Sequence, residues 1–294
     1  NILSAMASID YVRMLIAFCC AGAIARRGYR KKSLSSGGAV AAMLVGGITL
    51  GITWRFGLTL LLFYGSSSQL TKIGKHAKDK LEEGHSKESQ RGATQVLSCS
   101  MTGVVLAIVY ASLVGSDDIP VDYDTNPTGS FLLCAYLGFF ACCNGDTWAS
   151  ELGTLSKAKS ATLITTLSDV PKGTNGGISF LGTAASIAGG GFIGLVYVVV
   201  GFFTVEKKSS VPQWPLVLFG MGMGALGSVL DSFMGATLQE SWMCRRTKKI
   251  VKPPPMKDTY VKICGMNILT NEQVNLVSAS LAALVAGYAG QLLF

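Results

Sequence analysis

The chain of 294 residues is 49% hydrophobic and only 14% charged, with a mean hydropathy of +0.44. A soluble domain carries about 25% charged residues, so the composition excludes a water-soluble globule and describes a polytopic membrane protein. The formal net charge of +8 does not point to nucleic acid, because the basic residues sit in loops between apolar spans, where they orient the chain and meet anionic lipid or phosphate.

About eight apolar segments follow in chain order, at 12–25, 37–53, 56–68, 96–115, 130–144, 178–205, 215–234 and 274–294. They predict an all-α fold: a polytopic membrane protein with about eight transmembrane helices in a single integral membrane domain, 1–294. Several segments are shorter than the ~20 residues of a full crossing, so short, tilted or broken helices are expected. Trp54-Arg55 marks a tight turn between the second and third segments. The pairs Gly47/Gly51, Gly190/Gly194 and Gly220/Gly224 have the spacing that lets membrane helices approach closely.

The loops alternate in charge. Basic residues cluster at 26–32, 72–91, 157–172 and 245–262, which together hold 21 of the 25 Lys and Arg, whereas the loop with Asp117, Asp118, Asp122 and Asp124 has none. The basic loops belong on one side, cytoplasmic or its organellar equivalent. Both termini then face away from it, and Lys207-Lys208 is an exception in an outside turn. The 72–91 stretch reads as a charged loop or amphipathic surface helix, and Pro253-Pro254-Pro255 as a stiff irregular loop. The eight cysteines lie mostly in apolar spans without a C-x-x-C, so they read as small hydrophobes. The two histidines, His76 and His85, share one loop and exclude an H-E-x-x-H metal site. The first residue is Asn, as expected of a processed or partial chain, so targeting signals are not read from it.

Every polar motif falls on the basic side. Gly145-Asp146-Thr147-Trp148-Ala149-Ser150-Glu151 closes an uncharged apolar run, and acids at the end of a membrane segment bind a cation, a proton or a charged ligand. Residues five apart on a helix point about 140° from each other, so Asp146 and Glu151 need not share one ligand. Asp146 is the preferred metal acid, and Glu151 holds a second cation or fixes Lys172. The loop Val170-Pro171-Lys172-Gly173-Thr174-Asn175-Gly176-Gly177, with Thr165 and Thr166 before it, offers backbone N–H groups, hydroxyls and one cation to phosphate oxygens, in an order that is not a Walker loop. Gly227, Asp231, Gly235 and Gln239 recur every four residues on one helix face, with the glycines leaving a groove around the acid. Asn267, Asn271 and Asn275 form an amide stripe into the last span, one of them serving as its cap. Lys32 and Ser33, with Ser67 and Lys72, add charge and hydroxyls.

With these residues in view, the chain resembles the transmembrane protein 19 family, whose plant relatives include phytyl-phosphate kinase. The resemblance covers most of the chain and is carried by Lys31-Lys32-Ser33-Leu34, Ser66-Ser67-Ser68 and the stretches 145–153, 163–166, 170–179, 231–239 and 271–275. It implies a multi-helical membrane protein and, for the kinase members, CTP-dependent phosphorylation of an isoprenyl monophosphate to the diphosphate. A looser similarity reaches phytol kinase, dolichol kinase and CDP-diacylglycerol synthase, which use CTP with magnesium. Kinase-like members tend to carry an acid where this loop has Asn175 and a Glu where this helix has Asp231. In that respect the chain is closer to the transmembrane-protein-19-type branch, whose substrate the resemblance does not imply.

The combined expectation is a Mg²⁺-assisted, CTP- or other nucleotide-dependent membrane kinase acting on an isoprenyl or lipid monophosphate, in an organellar or endoplasmic reticulum membrane. Asp146, Lys172 and Asp231 are its expected catalytic residues, and Asp146, Glu151 and Asp231 its metal ligands. Lys32, Ser33, Ser67, Lys72, Thr165, Thr166, Gly173, Thr174, Asn175, Gly176, Gly177, Gln239, Asn267, Asn271 and Asn275 are expected around the phosphates and nucleotide. The alternatives are an ion-coupled transporter, whose acids would sit mid-span between two related halves, and a non-catalytic membrane subunit of a larger complex. Cysteine labelling in sealed vesicles checks the topology: single cysteines placed in 26–36, 72–91, 157–172 and 245–262 should all react from the same side, and opposite accessibility of any two would reject it.

Overall fold

The computed structural model describes residues 11–81, 90–206, 209–247, 249–251 and 259–294, with main chain only for 75–80. The charges at 207, 208, 248, 252 and 257, the histidine side chains and the triple proline lie outside the described side chains. The described helices are α1 (Tyr11–Arg30), α2 (Ser36–Ile52), α3 (Trp54–Leu81), α4 (Ala93–Ser98), α5 (Met101–Leu113), α6 (Pro127–Gly153), α7 (Phe180–Thr204), α8 (Pro215–Leu238) and α9 (Asn271–Gly290). Four of them, α6 to α9, are long and apolar enough to cross a membrane by length and composition. The apolar helices α2 and α5 are shorter. The fourth expected segment is broken at Cys99 and Ser100 into α4 and α5. The expectation of about eight crossings thus meets four helices for which length and composition suffice.

Local chemistry sets the helix ends. The Ser35 hydroxyl caps α2 by accepting from Gly38 N at 3.1 Å. Pro127 opens α6 behind the Asn126 cap, whose side chain accepts from Gly129 N at 2.8 Å. The turn between α2 and α3 falls on Thr53, one residue before the expected Trp54-Arg55, because Thr53 is extended and Trp54 already begins α3. The charged stretch after residue 72 continues α3 as helix to Leu81.

The centre of the bundle is α6. It is buried on all sides from Leu132 to Gly145 and touches α3, α5, α7, α8 and α9. Its burial by five neighbouring helices, not its apolarity, makes it the core element. Around it the small residues do what their spacing predicts. A Cβ at Gly190 would lie 2.1 Å from Gly220 O, and one at Gly224 would lie 2.5 Å from Ser186 O, so α7 and α8 meet backbone to backbone. Gly47 and Gly51 receive the Phe18 and Met14 side chains of α1. The outer helices turn apolar side chains outward: on α7, Phe180 at one end is 92% exposed and Phe202 and Phe203 at the other are 81% and 79% exposed.

The protein is mostly helical but not all-α. Two small antiparallel sheets interrupt the helices: β1 (Ala161–Leu163), β2 (Asp169–Val170) and β3 (Gly177–Ile178) in the order β2-β1-β3, and β4 (Ser241–Cys244), β5 (Ile250–Val251) and β6 (Tyr260–Cys264) in the order β5-β4-β6. Strands of two to five residues are too short to show a period-two pattern. The first sheet packs Ala161, Leu163 and Val170 against Ala236 of α8. Asn175 joins the sheets, with its N–H donating to Ser241 Oγ at 3.0 Å and its amide to Glu240 O at 3.3 Å.

The opposite end is closed by the acidic loop. Arg55 pairs with Asp118 at 3.7 Å, both side chains under 5% exposed, donates to Ile119 O at 3.1 Å and lies over the Tyr197 ring at 4.9 Å. Asp122 accepts from Ser209 Oγ at 2.8 Å, and this hydrogen bond holds its carboxyl below the usual aspartate range. Tyr123 N donates to Phe294 O at 2.9 Å, tying the last residue to the same loop.

The glycine contacts predict a contrast in stability. Gly190→Ala must push α7 from α8 and should destabilise by about 1–3 kcal/mol, as overfilled cores do. Gly222→Ala, with nothing within 4 Å of the added Cβ, should be neutral or stabilising through helix propensity. Thermal unfolding in detergent measures both.

Candidate functional site

The site begins at Asn144, fully buried near the C-terminal end of α6. Its Nδ2 donates to Gly189 O of α7 at 2.8 Å, and its Oδ1 accepts from Ser66 and Ser67 of α3 at 3.1 and 3.3 Å. The next residue, Gly145, runs against both neighbours: an added Cβ would lie 2.9 Å from Gly224 of α8 and 2.9 Å from Ser186 O of α7. Only hydrogen fits there. The bare contact carries Asp146 past α7 and α8 into a cavity of about 1690 Å³ at the basic end of the bundle.

Asp231 reaches the same cavity from α8. Ser278 Oγ donates to its Oδ2 at 3.3 Å, and Asn275 Nδ2, with the amide oriented to donate, lies 3.0 Å from the same oxygen. Asp146, Thr147, Asp231, Asn275 and Ser278 also border a smaller recess of about 10 Å³, roughly the room of one water. Among the described residues no three His, Cys, Asp or Glu side chains are grouped to hold a metal. Asp146 and Asp231 both border the large cavity, and two carboxylates beside open space suit Mg²⁺, which keeps several waters and takes one or two protein carboxylates plus substrate phosphates.

The glycine loop forms the facing wall. Gly173 and Gly176 have φ of +87° and +75°, the left-handed region that glycine enters at little cost. Gly176 sits flat on α8, where a Cβ would come within 2.5 Å of Ser232 O. Thr174 is buried, its hydroxyl donating to Pro171 O at 2.6 Å, while Gly177 N donates to Thr174 O at 2.9 Å. The Lys172 ammonium donates to the Ser156 carbonyl. It is therefore Ser156, and not Glu151, that holds Lys172. Glu151 is buried and accepts from Thr71 of α3 at 3.1 Å. Lys172, Asn175 and Gly173, Gly176 and Gly177 line the cavity, as do Thr174 and Glu151.

The remaining walls come from distant elements. Lys32 and Ser33 follow α1, Lys72 projects from α3, and Gln239 ends α8. Beside Gln239, Glu240 accepts from the Trp242 indole at 3.0 Å and from Lys262 at 3.1 Å, which keeps its carboxyl below the usual range. Asn267, Asn271 and Asn275 line the cavity too, but not as one helical stripe: Asn267 precedes α9, and the cap is Thr270, which forms a capping box with Gln273. The first turns of α7 and α9 border the space, at Ser179 and Thr183 and at Thr270 and Asn271. Three expected residues lie elsewhere. Ser67 is buried beneath the cavity on Asn144, and Thr165 and Thr166 are exposed on the turn after β1, where Thr166 Oγ1 meets Ser168 Oγ at 2.7 Å.

The expectation passed over Arg91 and Ser278. Ser278 follows Asn275 by three positions and so shares its helix face, a signal the sequence did carry. Arg91 belonged only to a charged run, and nothing in its neighbours marked it.

This arrangement can be set beside known proteins. The family described as integral membrane protein DUF92 matches residues 19–283, and the chain belongs to it. The chain is 38% identical to Protein PGR of Arabidopsis thaliana over 285 residues, covering 96% of this chain and 98% of that protein. It is 26% identical to Protein VTE6, chloroplastic, of the same plant over 261 residues, covering 86% of this chain and 64% of that protein. An uncharacterized membrane protein of Methanocaldococcus jannaschii is 26% identical over 270 residues, 90% of this chain and 87% of its own. No solved structure matches.

Asn144 is the lock of the site. Asn144→Ala leaves the Gly189 carbonyl and two serine hydroxyls without their buried partner, and should cost about 2–4 kcal/mol. Ser67→Ala, which removes one weaker donor, should cost about 1 kcal/mol. Unfolding midpoints of the two variants provide the comparison.

Proposed function

We propose that this membrane protein is a phosphotransferase that passes the terminal phosphoryl group of a nucleoside triphosphate, CTP in the preferred reading, to an isoprenyl or related lipid monophosphate. The observation that carries the reading is a cavity bordered at once by the Asp146 and Asp231 carboxylates, a glycine loop with a lysine, and an apolar limb. The limb is formed by Ala21 and Ile24 of α1, Val45 of α2 and Leu60 and Phe63 of α3. Polar groups at one end and a hydrocarbon wall at the other suit an amphiphile with a phosphate head. The resemblance to phytyl-phosphate kinase supports the same chemistry, and the DUF92 match supports the membrane setting.

The reaction asks little of the protein beyond placement and charge. An oxygen of the acceptor monophosphate attacks the terminal phosphorus of the nucleotide, the bond to the bridging oxygen breaks, and the nucleoside diphosphate leaves with that electron pair. Charge balances without a proton transfer, since the acceptor dianion is itself the nucleophile. Asp146 and Asp231 would hold Mg²⁺, which when bound supplies positive charge to the nucleotide phosphates. Lys172 and the Gly173 N–H would face the transferring group, while the N–H groups of Thr174, Asn175 and Gly177 hold the loop's shape through Pro171 O, Ser241 Oγ and Thr174 O; fixed donors stabilise charge that spreads over the phosphoryl oxygens. Asn275 and Ser278 orient the Asp231 carboxylate. Gln239, Asn267 and Asn271 offer amides to the nucleotide. Both acids lie in the final third of their helices, at the basic end, whereas an ion-coupled transporter would carry them near mid-span.

Purified protein incubated with labelled CTP or ATP, Mg²⁺ and a panel of prenyl alcohols and monophosphates tests the reading. Transfer to a monophosphate is the expected outcome, and no transfer from any nucleotide to any of these lipids would reject it. Asp146→Asn keeps size and removes charge. It should lower turnover more than a hundredfold, about 3 kcal/mol of transition-state stabilisation, while the unfolding midpoint changes little. Near-normal turnover in this variant would remove Asp146 from the metal site. Lys172→Met should raise the KM for nucleotide.

A further inference from the structure

We infer that Arg91 recognises the phosphomonoester head of the acceptor lipid and makes the site select a lipid phosphate over the corresponding alcohol. The inference rests on the reading above and assigns a residue to its second substrate.

The cavity has two polar halves. One lies around the glycine loop, Gln239 and Asn271. The other is built from Lys31, Lys32 and Ser33 after α1 and from Ser68 and Lys72 of α3. The apolar limb belongs to the second half, because the same three helices, α1 to α3, form it. An amphiphile whose chain lies along Val45, Leu60 and Phe63 brings its head to Tyr64 and Ser68, one and two turns beyond Leu60 on α3, and to Arg91, which bonds to Ser68. The nucleotide then occupies the first half, with the carboxylates between them.

Arg91 is the fixed cation of this second half. Its N–H donates to Ser33 O at 3.0 Å and its carbonyl accepts from Ser35 N at 3.1 Å, forming a parallel bridge with Leu34. Gly38 lets the Arg91 carbonyl rest on the start of α2, where a Cβ would come within 2.2 Å. The side chain is held as well. Nη1 donates to Ser68 Oγ at 3.4 Å, Nη2 donates to Thr71 Oγ1 at 3.3 Å, and the guanidinium carbon lies 5.8 Å from the centre of the Tyr64 ring, whose hydroxyl is 3.3 Å from Ser33 Oγ. These hydrogen-bond partners are hydroxyls, with the Glu151 carboxylate one step further, accepting from Thr71 Oγ1 at 3.1 Å; they position the guanidinium from one side and use two of its five donors. A guanidinium has five donors in a planar fork that matches two phosphate oxygens. Lys31, Lys32 and Lys72 are exposed on the same rim. They add field strength, but an ammonium on a flexible stem does not fix geometry. An alcohol offers neither the charge nor the paired oxygens, so it leaves the fork unmatched, and unmatched polar groups are the strongest basis for discrimination.

Binding to the full chain in nanodiscs, without nucleotide, tests the assignment, with dodecyl monophosphate and dodecanol as probes. The wild type should bind the monophosphate more tightly than the alcohol. Arg91→Gln should weaken the monophosphate at least tenfold, leave the alcohol unchanged and keep a near-wild-type unfolding midpoint. Arg91→Lys should fall between. Should Arg91→Gln fail to fold, Arg91→Lys and Ser68→Ala carry the test through the same loss of preference for phosphate. Unchanged monophosphate affinity in the Arg91 variants, an equal loss for both probes, or no preference in the wild type would each overturn the assignment. Because the assay contains no nucleotide, absence of phosphoryl transfer would reject the kinase reading and leave this result to stand or fall by itself.

Discussion

Three helices meet at the level of Gly145 with no side chain between them, and the geometry of the polar end depends on that contact. A Cβ on Gly145 would strike α7 and α8 together, and Gly224 and Gly190 show the same intolerance from the other side. Membrane helices gain nothing from hiding apolar surface from lipid, so their association relies on van der Waals contact and buried hydrogen bonds. Asn144 supplies the second of these one residue before Gly145 supplies the first. Together they hold α6 against α3, α7 and α8 at one height. That height brings an acid of α6 and an acid of α8 to one recess, although they are 85 positions apart in sequence.

Much of this was legible because charge is expensive inside a membrane. Asp146, Asp231, Lys172 and the asparagines of α9 stood out as polar residues beside apolar runs, and all of them line the cavity. The glycine pairs were equally plain, since their spacing maps directly onto a helix face. Other features had no local trace. The sheets at 161–178 and 241–264 are too short for periodicity to register, and they exist because the loops they organise fold against α8 and against each other through Asn175. Thr165 and Thr166 looked like phosphate ligands by residue type, but the first strand ends before them and turns them to solvent. Asn267 and Asn271 suggested one helical stripe, yet Thr270 stops the helix between them by taking the cap. Arg91 acquires its position from contacts with Ser33, Ser35 and Ser68, which no window around residue 91 contains.

The two ends of the bundle use charge differently. At the far end Arg55 and Asp118 are paired and buried, Asp122 is capped by Ser209, and Arg13 reaches the carbonyls of Gly51 and Ser116. These charges are spent on closing the structure: the acidic loop is stitched to α1, α3 and the C-terminal residue. At the basic end the charges border open space. Carboxylates and cations stand on separate walls of one cavity and are supported by hydroxyls and amides, as with Ser278 on Asp231 and Ser68 on Arg91. A rigid closed end and a charged open end are the requirements for holding ligands in register without collapsing the site when they leave.

The exposed phenylalanines of α7 give the site a depth. Phe180 opens the helix and Phe202 and Phe203 approach its end. At about 1.5 Å per residue, the twenty-two steps from Phe180 to Phe202 span roughly 33 Å, close to the ~30 Å hydrocarbon thickness of a bilayer. Phenyl rings, apolar throughout, are at home in hydrocarbon, so the helix between them has the length of a bilayer core. Ser179 and the glycine loop come immediately before Phe180, so the mouth of the cavity lies at the end of that apolar length. Under the proposed function a lipid presents its head to that mouth by lateral diffusion alone, its chain never leaving the leaflet, and the water-borne substrate comes from the opposite direction.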